Sequence, residues 1–368
     1  MLFRSLSRNL DFRALSIRSN IAVIISGVIG IGMALAGFRV WALVAQQIVR
    51  DSVALILLWK LSPWRPRFTF SWTHLKDLVG FSISNFTAQL GLFAEGQTAS
   101  IFLGLFFGPV AVGLYRVADR LVNSVVVMAT TSIQAVSLPE FARNQANPVE
   151  LRKSALTSIR LSSAMTLPAL SGMAAVSWAL MATLGPQWTS ATGALKVLCV
   201  MGMSTVFACF TGPMLQAISK PHYVAILAWG RTAIGTILLV VVGLAVRNRP
   251  VTWQITGIAV ARTVALAGFV MPVFLYILMR ICNISFRDLR IAVAPSVFAS
   301  AGTIAAVELF HLSGLLANGK PVILLAAEVF VGGVVGVVVL LAADTQLRGF
   351  VVALQQRISR SPAFSRSG

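Results

Sequence analysis

Residues 321–343 read PVILLAAEVFVGGVVGVVVLLAA, a run of twenty-three positions whose only charged member is Glu328. A helix needs about 20 apolar residues to cross the hydrocarbon core of a bilayer, and this run supplies them. Working back towards the N-terminus, comparable runs return every 25 to 40 residues. They fall at 19–38, 40–61, 78–103, 109–137, 155–182, 190–217, 222–245, 253–279 and 291–311. Open sheet edges cannot be satisfied in lipid, and the alternation of a barrel is absent. The expectation is an all-α integral membrane protein with about ten transmembrane helices and almost no water-soluble domain.

Composition agrees with the pattern. The 368 residues are 57% hydrophobic and 11% charged, with a mean hydropathy of +0.85, too little polarity to cover a soluble protein of this length. A net charge of +19 invites a nucleic-acid reading. The basic residues lie mostly in connectors between apolar runs, however, and form no patch on a soluble face, so nucleic acid is excluded as a partner. Cys199, Cys209 and Cys282 are isolated in or beside apolar runs. They read as small packing residues, with no CxxC or Cys/His cluster to hold a metal. The basic start (Arg4, Arg8, Arg13, Arg18) precedes an apolar run that leads straight into a second one, which reads as insertion and not as a cleaved signal.

The connectors orient the chain. One alternate set, with the termini, carries nineteen Lys and Arg, among them Arg65, Arg67, Arg152, Lys153, Arg287 and Arg290. The other carries only Arg39, Arg247, Arg249 and Lys320. The positive-inside rule places the first set, and both termini, in the cytoplasm. Trp41, Trp59, Trp64, Trp188 and Trp253 fall at span edges, where an amphipathic ring is favoured. Pro168, Pro213, Pro272 and Pro295 fall inside runs, and each is expected to bend its helix. Small residues at Gly27, Gly30 and Gly32, and the Gly332/Gly336 pair, let helix backbones approach closely within the bundle.

Seven basic residues are left within the spans: Arg50, Arg116, Arg120, Arg160, Lys196, Arg231 and Arg262. Arg160 and Lys196 lie near span ends and can snorkel. Arg50, Arg231 and Arg262 lie near the midplane, where an arginine costs roughly 2.5–3.5 kcal/mol on the insertion scale. The run Ile237–Val242 offsets about that much at roughly 0.3–0.6 kcal/mol per residue. Two readings of these arginines stand: salt bridges between helices, or a cationic, water-filled cavity for an anionic substrate. The second is preferred because basic residues outnumber the acids Asp51, Glu95, Asp119, Glu308 and Glu328. Asp119, three residues from Arg116, is expected to neutralise that turn in part. Glu308 and Glu328 read as interfacial or structural.

The run 78–103 is the most polar, with Ser82, Ser84, Asn85, Thr87, Gln89, Glu95, Gln97, Thr98 and Ser100. Asn85 and Gln89 share a face at i, i+4. So polar a helix is poorly stable against lipid and is expected to line a central cavity. No enzyme constellation accompanies it: there is no Ser/His/Asp set or acid pair in a large loop, no P-loop, and His74, His222 and His311 lie at different levels. No cofactor is implied.

Several segments resemble the bacterial oligosaccharide flippases, the polysaccharide transporter branch of the multidrug/oligosaccharidyl-lipid/polysaccharide superfamily. Arg8-Asn9-Leu10-Asp11-Phe12-Arg13-Ala14-Leu15 looks like the basic connector after that family's fourth helix. Val40-Trp41-Ala42-Leu43-Val44 looks like the start of its sixth. The stretch from Gly104 through Gly108-Pro109 to Gly113-Leu114-Tyr115 resembles the link between its seventh and eighth. Ser137-Leu138-Pro139-Glu140-Phe141-Ala142-Arg143 and Leu184-Gly185-Pro186-Gln187-Trp188 continue the order. The likeness runs to about residue 230, beyond which topology alone fits. Two departures are evident. Counterparts of the first four of about fourteen helices are lacking, and Ala99 and Leu105 stand where the family often has Asp and Arg.

The resemblance implies two bundles around a cavity that opens alternately to either side. Residues 1–61 would be the remainder of an incomplete N-terminal bundle and 62–77 a cytoplasmic linker. Residues 78–279 would be a six-helix C-terminal bundle, 280–343 two additional helices and 344–368 a basic cytoplasmic tail. The implied cargo is an undecaprenyl-diphosphate-linked oligosaccharide, flipped across the bacterial inner membrane for capsule, exopolysaccharide or O-antigen synthesis. Membrane lipids and polysaccharide polymerase or export machinery are the implied partners. Arg50, Arg231, Arg262, Asn85, Gln89, Glu95, Arg116 and Arg120 are the cavity candidates, since a cationic midplane fits a diphosphate. A drug exporter of the same superfamily would want a dominant acidic site. A membrane polymerase or glycosyltransferase would want a long extramembrane loop with catalytic carboxylates or histidines.

Overall fold

The computed structural model describes residues 12–61, 72–144, 147–208, 221–313, 321–344 and 348. The basic opening, the connector at 62–71, residues 209–217 of the run 190–217 with Pro213 among them, Lys320 and the tail beyond 348 lie outside the described residues. Every long element is a helix, and no strand occurs among the described residues. The chain divides into two compact units, Met1–Lys76 and Asp77–Gly368.

The smaller unit is a hairpin of α1 (Phe12–Leu35) and α2 (Val40–Leu61), turned at Gly37, whose φ is +86°. Among the described side chains of α1 the buried ones are Ala22, Ser26 and Gly30, a small-residue stripe at spacing four, and Gln46 of α2 packs 3.1 Å from where a Gly30 Cβ would stand. Gly27 and Gly32 face open space, so of these three glycines only Gly30 is used for packing. Only 17% of α1's spanning residues and 6% of α2's are buried.

The larger unit begins within α3 (Trp72–Phe106), which α4 (Gly108–Asn144) follows; they are 35 and 37 residues long. They are parted by Gly108, whose φ of +84° is the conformation that glycine adopts without strain. Next comes α5 (Pro148–Ala175), begun by Asn147, whose side chain accepts from the N–H groups of Val149 and Glu150. At Val176 the chain bends by 68° into α6 (Ser177–Leu184), so the predicted span 155–182 is a broken one. Helix runs through Pro168, and the break comes eight residues later. A 3-10 turn at Pro186–Ala191 leads to α7 (Thr192–Ala208), followed by α8 (Pro221–Val246) and α9 (Val251–Thr263).

Seven residues of π-helix, Val264–Val270, join α9 to α10 (Met271–Cys282) within one span. Pro272, at the start of α10, has no N–H to continue an α ladder, and the wider turn ahead of it absorbs the mismatch. The last pair is α11 (Phe286–Leu312), capped by a Ser285/Asp288 capping box, and α12 (Pro321–Ala343). Among the described residues, six helices are long and apolar enough to cross a membrane by length and composition, seven if the bent pair counts as one span. The other expected spans are the polar α3 and α4 and the partly described 190–217, each helical where described.

The main core lies among α4, α7, α9 and the π segment, where Tyr115, Leu195, Leu198, Ile255 and Ile258 are fully buried. A second cluster, with Phe141, Ile159 and Leu278, packs α5 against the ends of α4 and α10. Close approach of α11 and α12 is made at Gly332 and Gly336: a Cβ there would stand 2.8 Å from Val307 and 2.5 Å from Thr303. The GxxxG thus packs within the chain.

Candidate functional site

Two arginines and two acids meet where α3 and α4 approach α8 and α9. Helices α3 and α8 come together at Gly91, where a Cβ would lie 3.1 Å from Ala228 Cβ, and again where Phe102 covers Gly243. That register carries Thr232 Oγ1 to the Gly91 carbonyl at 3.1 Å and Trp229 Nε1 to the Thr87 carbonyl at 3.2 Å. It also sets Arg231 beside Glu95. Arg231 Nη2 donates to Glu95 Oε1 at 2.7 Å and lies 2.6 Å from Oε2. The guanidinium carbon stands 5.7 Å from the ring centre of Phe274 on α10. Arg231 Nε is buried and has no partner among the described residues.

The second pair joins α4 to α9. Arg262 Nη1 donates to Asp119 Oδ1 at 2.7 Å and to the hydroxyl of Tyr115 at 3.0 Å. Tyr115 is one helical turn before Asp119 and fully buried, so it fixes the arginine from the core side. Asp119 also accepts from Asn123 Nδ2 at 3.0 Å. The four charged side chains are between 16% and 21% exposed. Glu95, Arg231 and Arg262 line one cleft with Thr98, Thr232 and Thr236, about 20 Å³ in volume, room for roughly one water.

These contacts correct the expected charge partition. Asp119 pairs with Arg262 and not with Arg116, three residues away, and Glu95 pairs with Arg231. Arg231 and Arg262 therefore form salt bridges between helices. The charge left over is on α4. Arg116 is exposed and donates to the neutral Gln97 at 2.7 Å, and Arg120 is exposed with no acid partner among the described residues. With Asn123 and Ser124 they make a polar, exposed face in a helix otherwise packed on its core side.

The remaining candidates are not gathered here. Gln89 is exposed on α3, one and a half turns before Glu95, and the side chain of Asn85 lies outside the described residues. Arg50 is exposed on α2 of the smaller unit, where Gln47 donates to the adjacent Asp51 at 3.0 Å. Ala99 is buried in the main core. Tyr115 and Phe274 were not singled out in the sequence. The local signals for Tyr115 are its place at the end of the Gly104–Tyr115 stretch and one turn before an acid. Among the described residues no group of three metal-ligating side chains occurs.

Residues 4–193 match the family described as polysaccharide biosynthesis protein. The chain is 28% identical to the teichuronic acid biosynthesis protein TuaB of Bacillus subtilis over 201 residues, 53% of this chain and 42% of that one. It is 26% identical to the succinoglycan biosynthesis transport protein ExoT of Rhizobium meliloti over 226 residues, 61% of this chain and 45% of that one. It thus spans less than half the length of either relative. Among solved structures, the lipid II flippase MurJ in an inward closed conformation shares the fold, with a TM-score of 0.63 over 89% of this chain and 66% of that one, at 14% identity.

Proposed function

The chain belongs to the polysaccharide biosynthesis protein family, and from that premise we propose that it is a transporter, not an enzyme, that flips an undecaprenyl-diphosphate-linked oligosaccharide across the inner membrane. The observation that carries this reading is the pair Arg116 and Arg120, exposed on α4 next to two arginines whose charge is already matched by acids. A basic face at this depth is poorly placed against lipid and suits a water-filled cavity. Its sign suits a diphosphate. A relative named as a succinoglycan transport protein supports a glycan cargo. The fold shared with a lipid II flippase supports alternating access.

In this mechanism Arg116 and Arg120 take the diphosphate by charge-assisted hydrogen bonds. Arg262, two residues before the π segment, is the next donor, because a phosphate oxygen can compete with Asp119 for it. The π turn gives the α9–α10 span a place to change register as the cavity reopens on the other side. The nineteen-to-four charge split supports cytoplasmic termini, on the side where a lipid-linked precursor would be assembled. A polysaccharide polymerase or export complex would receive the product.

The test is export of polysaccharide by the intact protein in its host, with membrane abundance measured alongside. Arg116→Ala with Arg120→Ala abolishes export at normal abundance, and the double Lys variant keeps part of it, since Lys retains charge but loses the planar fork. Normal export by the double alanine variant removes the cationic cavity from the mechanism. Arg50→Ala, on the smaller unit, reports whether that candidate belongs to the same path.

A further inference from the structure

A second set of charged groups lies away from this site, where the α11–α12 hairpin meets α6 and α7. Leu324, Glu328, Gly332 and Gly336 are the buried residues of α12, one per turn, so Glu328 is a carboxylate on a packing stripe. It is only 3% exposed. Oε1 lies 3.1 Å from Nδ1 of His311, an exposed side chain at the end of α11, and Oε2 is buried with no partner among the described residues. An unmatched buried carboxylate oxygen is expensive, which asks for a donor.

Glu328 also lines two neighbouring cavities. On one side is a groove of about 680 Å³ between α5 and α12, its walls almost wholly apolar, with Pro168, Gly172, Val329, Gly333 and Val337 among them. On the other is a polar chamber of about 560 Å³ holding Lys196, Glu308 and His311. Val307 and Glu328 line both. Each volume is in the range of about 300–1,000 Å³ typical of small-ligand sites. Lys196 and Glu308 are exposed and form no ion pair among the described residues.

We infer that this double cavity holds one zwitterionic phospholipid with a primary ammonium headgroup, of the phosphatidylethanolamine class. One acyl chain fills the apolar groove, the ammonium reaches Glu328 and Glu308, and the phosphate lies on Lys196. The charge balance selects the headgroup. Two carboxylates against one lysine and one histidine repel a purely anionic lipid, and a quaternary ammonium has no N–H to give Glu328 Oε2. Only the membrane setting is required, so the inference stands or falls apart from the identity of the cargo.

Native mass spectrometry of the purified full chain tests it, using phosphatidylethanolamine, phosphatidylcholine and phosphatidylglycerol of identical chains at equal concentration. Phosphatidylethanolamine is expected to be retained about fivefold to tenfold over either competitor, the size of effect a partly buried ion pair supports. Glu328→Gln should bring phosphatidylethanolamine and phosphatidylcholine to parity. Gly333→Leu should reduce all three, because Gly333 lines the groove and a Cβ there meets nothing within 4 Å, so the side chain fills the groove without disturbing the packing. Should Glu328→Gln fail to fold, Glu308→Gln and Lys196→Ala, both at exposed positions, still test the headgroup assignment through the same ratios. Equal retention of the three lipids by the unaltered protein overturns the inference. A phosphatidylethanolamine preference untouched by every headgroup variant, or retention unchanged by Gly333→Leu, overturns it equally.

Discussion

Where α3 and α4 meet α8 and α9, both acids are taken up by arginines, and the surplus is two exposed cations on the α4 face. Where α11 and α12 meet α5 to α7, the acid is the member left short: Glu328 has one exposed histidine for two oxygens, and Glu308 has no partner among the described residues. Both regions bury charge at membrane depth, and both do so with residues brought from different helices. They differ in the sign that remains after pairing. That remainder, more than the count of charged residues, decides what each region can bind. The first suits an anion in water. The second suits an ammonium attached to an acyl chain.

The largest expected effect breaks a closed pair. Asp119→Ala removes the acid from Arg262 and leaves the guanidinium with Tyr115 alone, low in solvent exposure. Breaking a fully buried pair costs about 3–5 kcal/mol; partial exposure brings the expectation here to roughly 2–3 kcal/mol. Thermal unfolding in detergent reads the loss. Asp119→Asn, which keeps an acceptor, should lose less. Asp119→Leu combined with Arg262→Met should recover most of the stability, since an apolar pair leaves no stranded charge. If the double variant is as unstable as Asp119→Ala, the pair is not the source of the loss, and the contrast between the two regions fails on its first side.

The pairing was the part of the site least legible in the sequence. Helix positions and polarity were readable: the apolar runs marked the helices, and the polar residues of 78–103 set α3 apart from the others. Local spacing then pointed Asp119 at Arg116, because three-residue neighbours on a helix are the only partners a single segment reveals. The actual partners of Arg262 and Arg231 are 143 and 136 residues away, fixed by the close approach of α3 and α8 at Gly91 and of α4 and α9 around Tyr115. The bend at Val176 was hidden for a similar reason, as Pro168 drew attention eight residues too early. The π segment reads Val-Ala-Leu-Ala-Gly-Phe-Val, which carries no local mark of a wider turn. Only Pro272 beyond it hints that the ladder must adjust.

An effect of intermediate size probes the other region. A Cβ on Gly336 would stand 2.5 Å from Thr303 Oγ1 and 3.9 Å from Pro168, at the meeting of α11, α12 and α5. Gly336→Ala is expected to lose about 1–3 kcal/mol through overpacking. Thr303→Ala in the same chain should restore part of this, because it removes the atom in conflict. Gly333→Leu, which points into open space three residues earlier, should be close to neutral in stability. The three variants separate the packed face of α12 from the face that lines the groove, by thermal unfolding alone.

The smallest effect concerns the helix that both features of the hairpin lean on. Helix α5 carries Arg152 to Asp288 at the start of α11, at 2.7 Å, and Arg160 to Asp344 just after α12, at 3.5 Å. Its first turn is held by Asn147, which accepts from the N–H groups of Val149 at 3.1 Å and Glu150 at 3.4 Å. Asn147→Ala leaves those two donors to water and is expected to cost about 1 kcal/mol. Asn147→Gly should cost only a few tenths of that unit, since glycine is itself a fair N-cap. If α5 acts as the post for the hairpin, fraying its first turn loosens Arg152 before it reaches Arg160, two turns further along. Hydrogen exchange should then rise at the start of α11, beside Asp288, and stay unchanged around Asp119 and Arg262, whose ion pair involves no residue of α5. A rise at both places would mean that the two regions share one cooperative unit, and the opposite charge remainders would have to be tuned together and not independently.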